Sequence, residues 1–146
     1  MNEKYYLALF NEDTWNEFVE KGSSVYGTTI KRESRMASTK PGDFLICYVT
    51  KLSRFVGLLE IKSKAYLDES HIWKNDVYPV RVDVKSIYIL EAKNGISVHE
   101  MKDKLEITSN IKNPKSWMIA FRTSLRVINE HDAKQVVDKM IKTVLF

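Results

Sequence analysis

The chain has 146 residues, 44% hydrophobic and 29% charged, with a formal net charge of +4 and a pI near 9.1. That is the composition of a folded globular protein, not of a disordered segment, and the longest apolar run, Phe44 to Val49, is far too short to cross a bilayer. The single cysteine, Cys47, excludes an internal disulfide and the first residues lack a secretory pattern, so one domain over residues 1–146, cytoplasmic and without a membrane partner, is expected.

Tyr5 to Phe10 is apolar and aromatic and predicts a buried strand. Asn11 is a natural cap for a helix from about Glu12, with Trp15, Phe18 and Val19 on one face and Gly22 as its stop. Ser24 to Gly27 predicts a short strand carrying Tyr26. Lys40-Pro41-Gly42-Asp43 predicts a turn, because proline pre-sets φ and glycine accepts the positive φ that follows. Phe44 to Thr50 and Phe55 to Ser63 then read as a hairpin across Lys51-Leu52-Ser53-Arg54.

From Pro79 to Leu90, Val80, Val82 and Val84 alternate with Arg81, Asp83 and Lys85 at the period of a strand. The phase changes at Ser86, so that Ile87 and Ile89 carry the apolar face, which predicts a β-bulge or a strong bend. A last helix, capped by Asn129, carries the stripe Val136, Val137, Met140, Ile141, Val144 and Leu145 and should pack on the sheet. The expected class is α+β, a small curved mixed β-sheet or open β-barrel flanked by α-helices.

Charge is segregated along the chain. No acidic residue occurs from Ile107 to Asn129, where Lys112, Lys115, Arg122 and Arg126 fall, and Lys31, Arg32 and Arg35 form a second basic cluster. The pattern reads equally as a phosphate-binding face or as solvated loops. Catalytic and cofactor signatures are missing from the sequence. The histidines, His71, His99 and His131, have no partner at metal-ligand spacing. The five glycines make no phosphate loop, and Cys47 and the serines lack the context of a nucleophile. Neither a metal, a cofactor nor catalysis is expected. What remains is aromatic: Tyr48 and Tyr66 read as core or rim, whereas Tyr26 and Trp73 sit beside residues that look exposed and near basic ones, the combination that stacking on a base requires.

In their order and spacing these segments resemble the EVE domains of the PUA-like superfamily and, more distantly, the YTH domains that bind N6-methyladenine in RNA. The likeness runs through Tyr5–Phe10, Asn11-Glu12-Asp13, Val25-Tyr26-Gly27, Lys40-Pro41-Gly42-Asp43, Phe55-Val56-Gly57-Leu58-Leu59-Glu60-Ile61, Ile72-Trp73 and Tyr78-Pro79-Val80-Arg81-Val82. It implies a non-catalytic module holding a flipped, modified base of DNA or RNA in an aromatic cage; 5-methylcytosine, its hydroxymethyl form and N6-methyladenine are the candidates. Tyr26 would be one wall, in place of the family's commoner tryptophan, and Trp73 the other. Asn11 would bond the base edge, a role that competes with its helix cap, and the Gly27 backbone would add a polar contact. Arg122 would hold a backbone phosphate, assisted by Lys31 and Arg32. A partner nuclease or modification enzyme is implied by the same resemblance. The alternative is an ASCH-like ribonuclease or deacylase on the same fold, echoed at the wrong spacing by Gly27, Lys31, Glu33 and Arg35.

Overall fold

The structure, a computed structural model, describes residues 3–109 and 117–145. In chain order the elements are β1 (Tyr5–Phe10), α1 (Glu12–Glu20), β2 (Val25–Thr28), α2 (Glu33–Ala37), β3 (Phe44–Val49) and β4 (Arg54–Ile61). Then follow β5 (Tyr66–Leu67), β6 (Val80–Ile89), β7 (Ile96–Ser97), α3 (Val98–Met101), α4 (Glu106–Ser109), β8 (Arg126–Ile128) and α5 (Glu130–Leu145). The main sheet runs β2-β6-β4-β3-β1-β8, antiparallel except for the parallel pair β1 and β3, with β5 added to β6 and β7 to β4.

Both faces of the central strands are covered. Tyr6, Ala8 and Phe10 of β1 with Leu45, Cys47 and Val49 of β3 enter one core, shared with Trp15 and Phe18 of α1. Leu7, Ile46 and Tyr48 enter a second core against Val136 and Met140 of α5. Two-sided burial is why β1 and β3 read as unbroken apolar runs, and each large side chain so buried contributes roughly 1.5–3 kcal/mol. Cys47 is sealed in this layer, where burial pushes its thiol pKa up. The α1 stripe is narrower than its spacing implies, since Val19 is exposed, and the α5 stripe runs out at Val144 and Leu145, which are exposed beyond the second core.

Local signals act where the sequence places them. Gly42 has φ +97 and the Asp43 N–H bonds the Lys40 carbonyl at 3.0 Å. Asn129 caps α5 through its Oδ1, which accepts from the Asp132 N–H at 2.8 Å. The buried Asp132 carboxylate in turn accepts the N–H groups of Glu106 and Ile107, tying α4 to α5.

Strand β6 does most to shape the site. Between Leu58 and Leu59 of β4 its register jumps from Tyr88 to Ser86, leaving Ile87 as the extra residue of a bulge. Ile87, expected on the apolar face, is therefore exposed, while Tyr88 and Ile89 pack on the two cores. The other end of β6, Val80 to Asp83, leaves β4 and pairs with β2, which curls the sheet over the first core. Its alternation groups Arg81 with the exposed Asp83 and Lys85, yet Arg81 is only 1% exposed. The reason is that residues 68–78 fold back over that face and surround the guanidinium.

Candidate functional site

A cavity of about 270 Å³ opens at the carboxyl ends of the parallel strands β1 and β3. Leu9, Phe10, Asn11 and Thr14 line it from the β1–α1 junction, Val25 to Thr28 from β2, Thr50 from the end of β3, Trp73 and Tyr78 from the segment before β6, and Ser124 from the approach to β8. Among these described residues there is no carboxylate, imidazole, thiol or cation, so the cavity is electrically neutral and suits an uncharged planar group. No group of His, Cys, Asp and Glu able to hold a metal ion occurs among the described residues.

Asn11 is the cap of α1. Its Oδ1 accepts from the Thr14 N–H at 2.8 Å, and the Thr14 hydroxyl accepts from the Asn11 N–H at 2.9 Å. Its amide nitrogen makes no hydrogen bond to the described residues, although Asn11 lines the cavity. The two roles that compete for this side chain thus fall on different atoms.

Tyr26 is 3% exposed, so it is no protruding wall. Pairing of β2 with β6 turns it toward the first core with Thr28, and its ring meets Phe10 edge-on at 5.4 Å. Its hydroxyl lies 2.9 Å from Ser124 Oγ. Burial pushes its pKa up to about 12 from the ordinary value near 10. The phenol is therefore neutral in the folded protein but ionises earlier in the unfolded one, and its contribution to stability is complete below pH 10 and lost as pH rises to about 12. An alkaline titration of folding should show a loss of about 3 kcal/mol from this group. Tyr26→Phe should make that decline shallower without abolishing it, since Tyr66, bonded to Asp83, is raised as well. An unchanged alkaline slope in Tyr26→Phe would refute the assignment.

Trp73 lies on the opposite face of β2, the side on which Gly27 has no side chain. A Cβ at Gly27 would stand 2.7 Å from Trp73 Cη2 and 2.8 Å from Cζ3, so the indole occupies the space that a side chain would need. The edge of Trp73 meets Tyr78 at 5.7 Å, and the Arg81 guanidinium lies 5.0 Å from the indole centroid. Arg81 also donates from Nε to the Tyr78 carbonyl at 3.1 Å, from Nη1 to Ser70 Oγ at 2.9 Å, and from Nη2 to the Val77 carbonyl at 2.9 Å and the Ser70 carbonyl. Asp68 Oδ1 lies 3.4 Å from Nη1. One buried cation thus holds the segment that presents Trp73 and Tyr78. Tyr78 itself has φ +46, a conformation uncommon for a bulky residue.

The β2–β6 ladder bonds Ser24 with Val84, and by alternation Tyr26 with Val82. The N–H and C=O of Gly27 consequently point off the free edge of β2. Lys31 and Arg32 follow on a 3₁₀ turn, Ile30–Arg32, and Arg122 is exposed two positions before Ser124; none of the three lines the cavity. Lys112 and Lys115 lie outside the described residues. Of Gly27, Lys31, Glu33 and Arg35, only Gly27 lines this cavity; Glu33 lines a separate groove with Tyr66 and Val80. Sequence reasoning did not single out Ser124, Thr50 or Arg81 as site residues. Arg81 had one signal, a cation in the Tyr78-Pro79-Val80-Arg81-Val82 segment; Ser124 and Thr50 had none, because only pairing brings them to the cavity.

Among solved structures, the YTH domain-containing protein mmi1 in complex with RNA matches with a TM-score of 0.70 at 12% identity, over 98% of this chain and 84% of that one. The YTH domain of a Zygosaccharomyces rouxii protein in complex with N6-methyladenosine RNA matches at 0.66 and 16%, over 95% and 87%. A Rhodopseudomonas palustris protein solved by NMR matches at 0.66 and 20%, over 95% and 94%. At these identities the likeness is one of fold: the chain has the fold of a YTH domain. The model of the EVE domain matches residues 4–139, and the chain belongs to the EVE domain family. UPF0310 proteins of Pyrococcus abyssi and Pyrococcus horikoshii are 33% and 30% identical, over 90% and 94% of this chain and 96% and 98% of theirs.

Proposed function

We propose that the protein is a non-catalytic nucleic-acid-binding module that receives one flipped, modified base in the cavity beside β2, with Trp73 and Tyr26 as its aromatic surfaces. The observation that carries this reading is the contrast between a neutral, aromatic-lined cavity and the cations outside it, Lys31, Arg32 and Arg122. A volume of about 270 Å³ falls just below the roughly 300–1,000 Å³ usual for drug-sized ligands and suits a single heterocycle. Phosphates, which need charge-assisted donors, would be held outside the cavity by these cations. The Gly27 N–H and C=O and the Asn11 amide nitrogen supply polar contacts to the base edge. The YTH relatives solved with RNA and with N6-methyladenosine RNA support a nucleic-acid partner. Among the described residues no carboxylate, imidazole or amine lines the cavity to activate its hydroxyls, and in this reading the output of binding falls to a partner nuclease or modification enzyme.

The test is a fluorescence titration of labelled DNA and RNA oligonucleotides, matched except for one 5-methylcytosine, 5-hydroxymethylcytosine or N6-methyladenine. Stacking contributes ~1–3 kcal/mol per base, so Trp73→Ala should weaken binding of the preferred oligonucleotide by roughly 5- to 150-fold. A buried methyl alone adds ~0.8 kcal/mol, about fourfold, and larger selectivity would reflect cheaper extrusion of the modified base. Equal binding of every oligonucleotide, unchanged in Trp73→Ala, would overturn the reading and leave only a basic surface.

A further inference from the structure

We infer that Ser124 is a specificity-determining residue of this cavity, fixed by Tyr26 and the Leu9 amide as a pure hydrogen-bond donor, so that the cavity selects a base presenting an unprotonated acceptor on its edge. The inference rests on the base-binding reading and adds the chemistry of the edge that is read.

A serine hydroxyl has one proton and two lone pairs. Antiparallel pairing of β8 with β1 brings Ser124 beside Leu9, and the Leu9 N–H donates to Ser124 Oγ at 3.3 Å. A backbone N–H has no other role to offer, so one lone pair is taken. The second partner is the Tyr26 hydroxyl at 2.9 Å. That phenol is buried between two hydroxyls, Ser124 and Thr28, and Ser124 at 2.9 Å is the stronger of the two partners, so its proton goes to Ser124 Oγ. A phenol is also a more acidic donor than an aliphatic alcohol, which sets the same direction. Both lone pairs of Ser124 are then occupied and only its own proton is free. Ser124 lines the cavity, so that proton is offered to whatever enters.

The neighbouring hydroxyl is already engaged. Thr14 Oγ1 accepts from the Asn11 N–H at 2.9 Å and donates to the Asn11 carbonyl at 3.1 Å. Ser124 and the Asn11 amide nitrogen are therefore both donors toward the cavity. A base edge that places an N–H against Ser124 would set donor against donor and leave the hydroxyl proton buried without an acceptor.

The experiment compares the best-bound oligonucleotide with analogues that each lack one ring-nitrogen acceptor on the base edge: 1-deazaadenine, 3-deazaadenine and 3-deazacytosine. Wild type should lose about tenfold in affinity for one of these analogues, and Ser124→Ala should bind parent and analogue equally, near the analogue's level. Tyr26→Phe keeps the ring but returns a lone pair to Ser124. In that variant binding of strands bearing an edge N–H, with hypoxanthine for adenine or uracil for cytosine, should rise about fivefold. Thermal melting of both variants checks that they fold, and Tyr26→Phe alone decides the matter should Ser124→Ala not fold. If Ser124→Ala keeps the parent-over-analogue preference, or Tyr26→Phe leaves the edge N–H strands as weakly bound as before, the donor assignment is wrong and base binding stands. If Trp73→Ala binds every strand as wild type does, the cavity is not the base site and this inference falls with it.

Discussion

Replacing Arg81 by methionine is expected to lower the free energy of unfolding by about 3 kcal/mol, since each acceptor stranded without its donor costs about 1–3 kcal/mol and part of that is recovered by water. Methionine fills a similar volume, so the loss is that of the bonding and not of a cavity. The carbonyls of Ser70, Val77 and Tyr78 lose their donor, and the indole of Trp73 loses the cation over its ring. Part of the cost will appear locally, because residues 68–78 can open and let water satisfy those carbonyls. Base binding should then fall as far as in Trp73→Ala, and hydrogen exchange should accelerate over residues 68–78 before it does so in β1 and β3. Arg81→Lys should recover little, since one ammonium cannot reach four acceptors set out for a planar fork. An Arg81→Met protein with wild-type melting and wild-type binding would show that the segment is held by other contacts.

Gly27→Ala should be nearly as damaging, for a steric reason. The added methyl would meet Trp73 Cη2 at 2.7 Å and the Tyr78 carbonyl oxygen at 2.8 Å. The indole cannot retreat freely, because Arg81 lies over its ring and Tyr78 against its edge. Overpacking of this kind costs about 1–3 kcal/mol, and displacing the indole should weaken base binding by roughly 10- to 100-fold. Gly22→Ala is the control: nothing lies within 4 Å of its added Cβ, so its cost comes only from φ +97 and base binding should be untouched. Equal binding by Gly27→Ala and wild type would mean that Trp73 does not form a wall of the site.

The candidate site was legible in part. Tyr26 and Trp73 were singled out from residue type and the company each keeps, Asn11 and Gly27 only through the resemblance to EVE and YTH domains, and all four line one cavity. Lys31, Arg32 and Arg122 lie outside that lining, because a charge run in sequence records composition and not direction. Tyr26 and Trp73 sit beside residues that look exposed, yet both are buried: a strand turns alternate residues to opposite sides, the pairing with β6 sends Tyr26 and Thr28 inward, and Trp73 packs over Gly27 beneath Arg81.

What the sequence determined by itself are features whose energetics are local: the cap at Asn11, the turn at Gly42, the cap at Asn129, and the bulge implied where the alternation of β6 changes phase. In each, the deciding contacts lie within a few residues, so residue type and spacing suffice. The strand runs of β1 and β3 belong with them, since burial on both faces demands apolar residues at every position. Tertiary structure alone decided that β1 lies parallel to β3, that Arg81 is buried, and that Ser124 meets Tyr26 from 98 residues away. Those outcomes depend on which distant groups satisfy one another's hydrogen bonds in the folded chain, and no pattern within a single strand or loop records its partner.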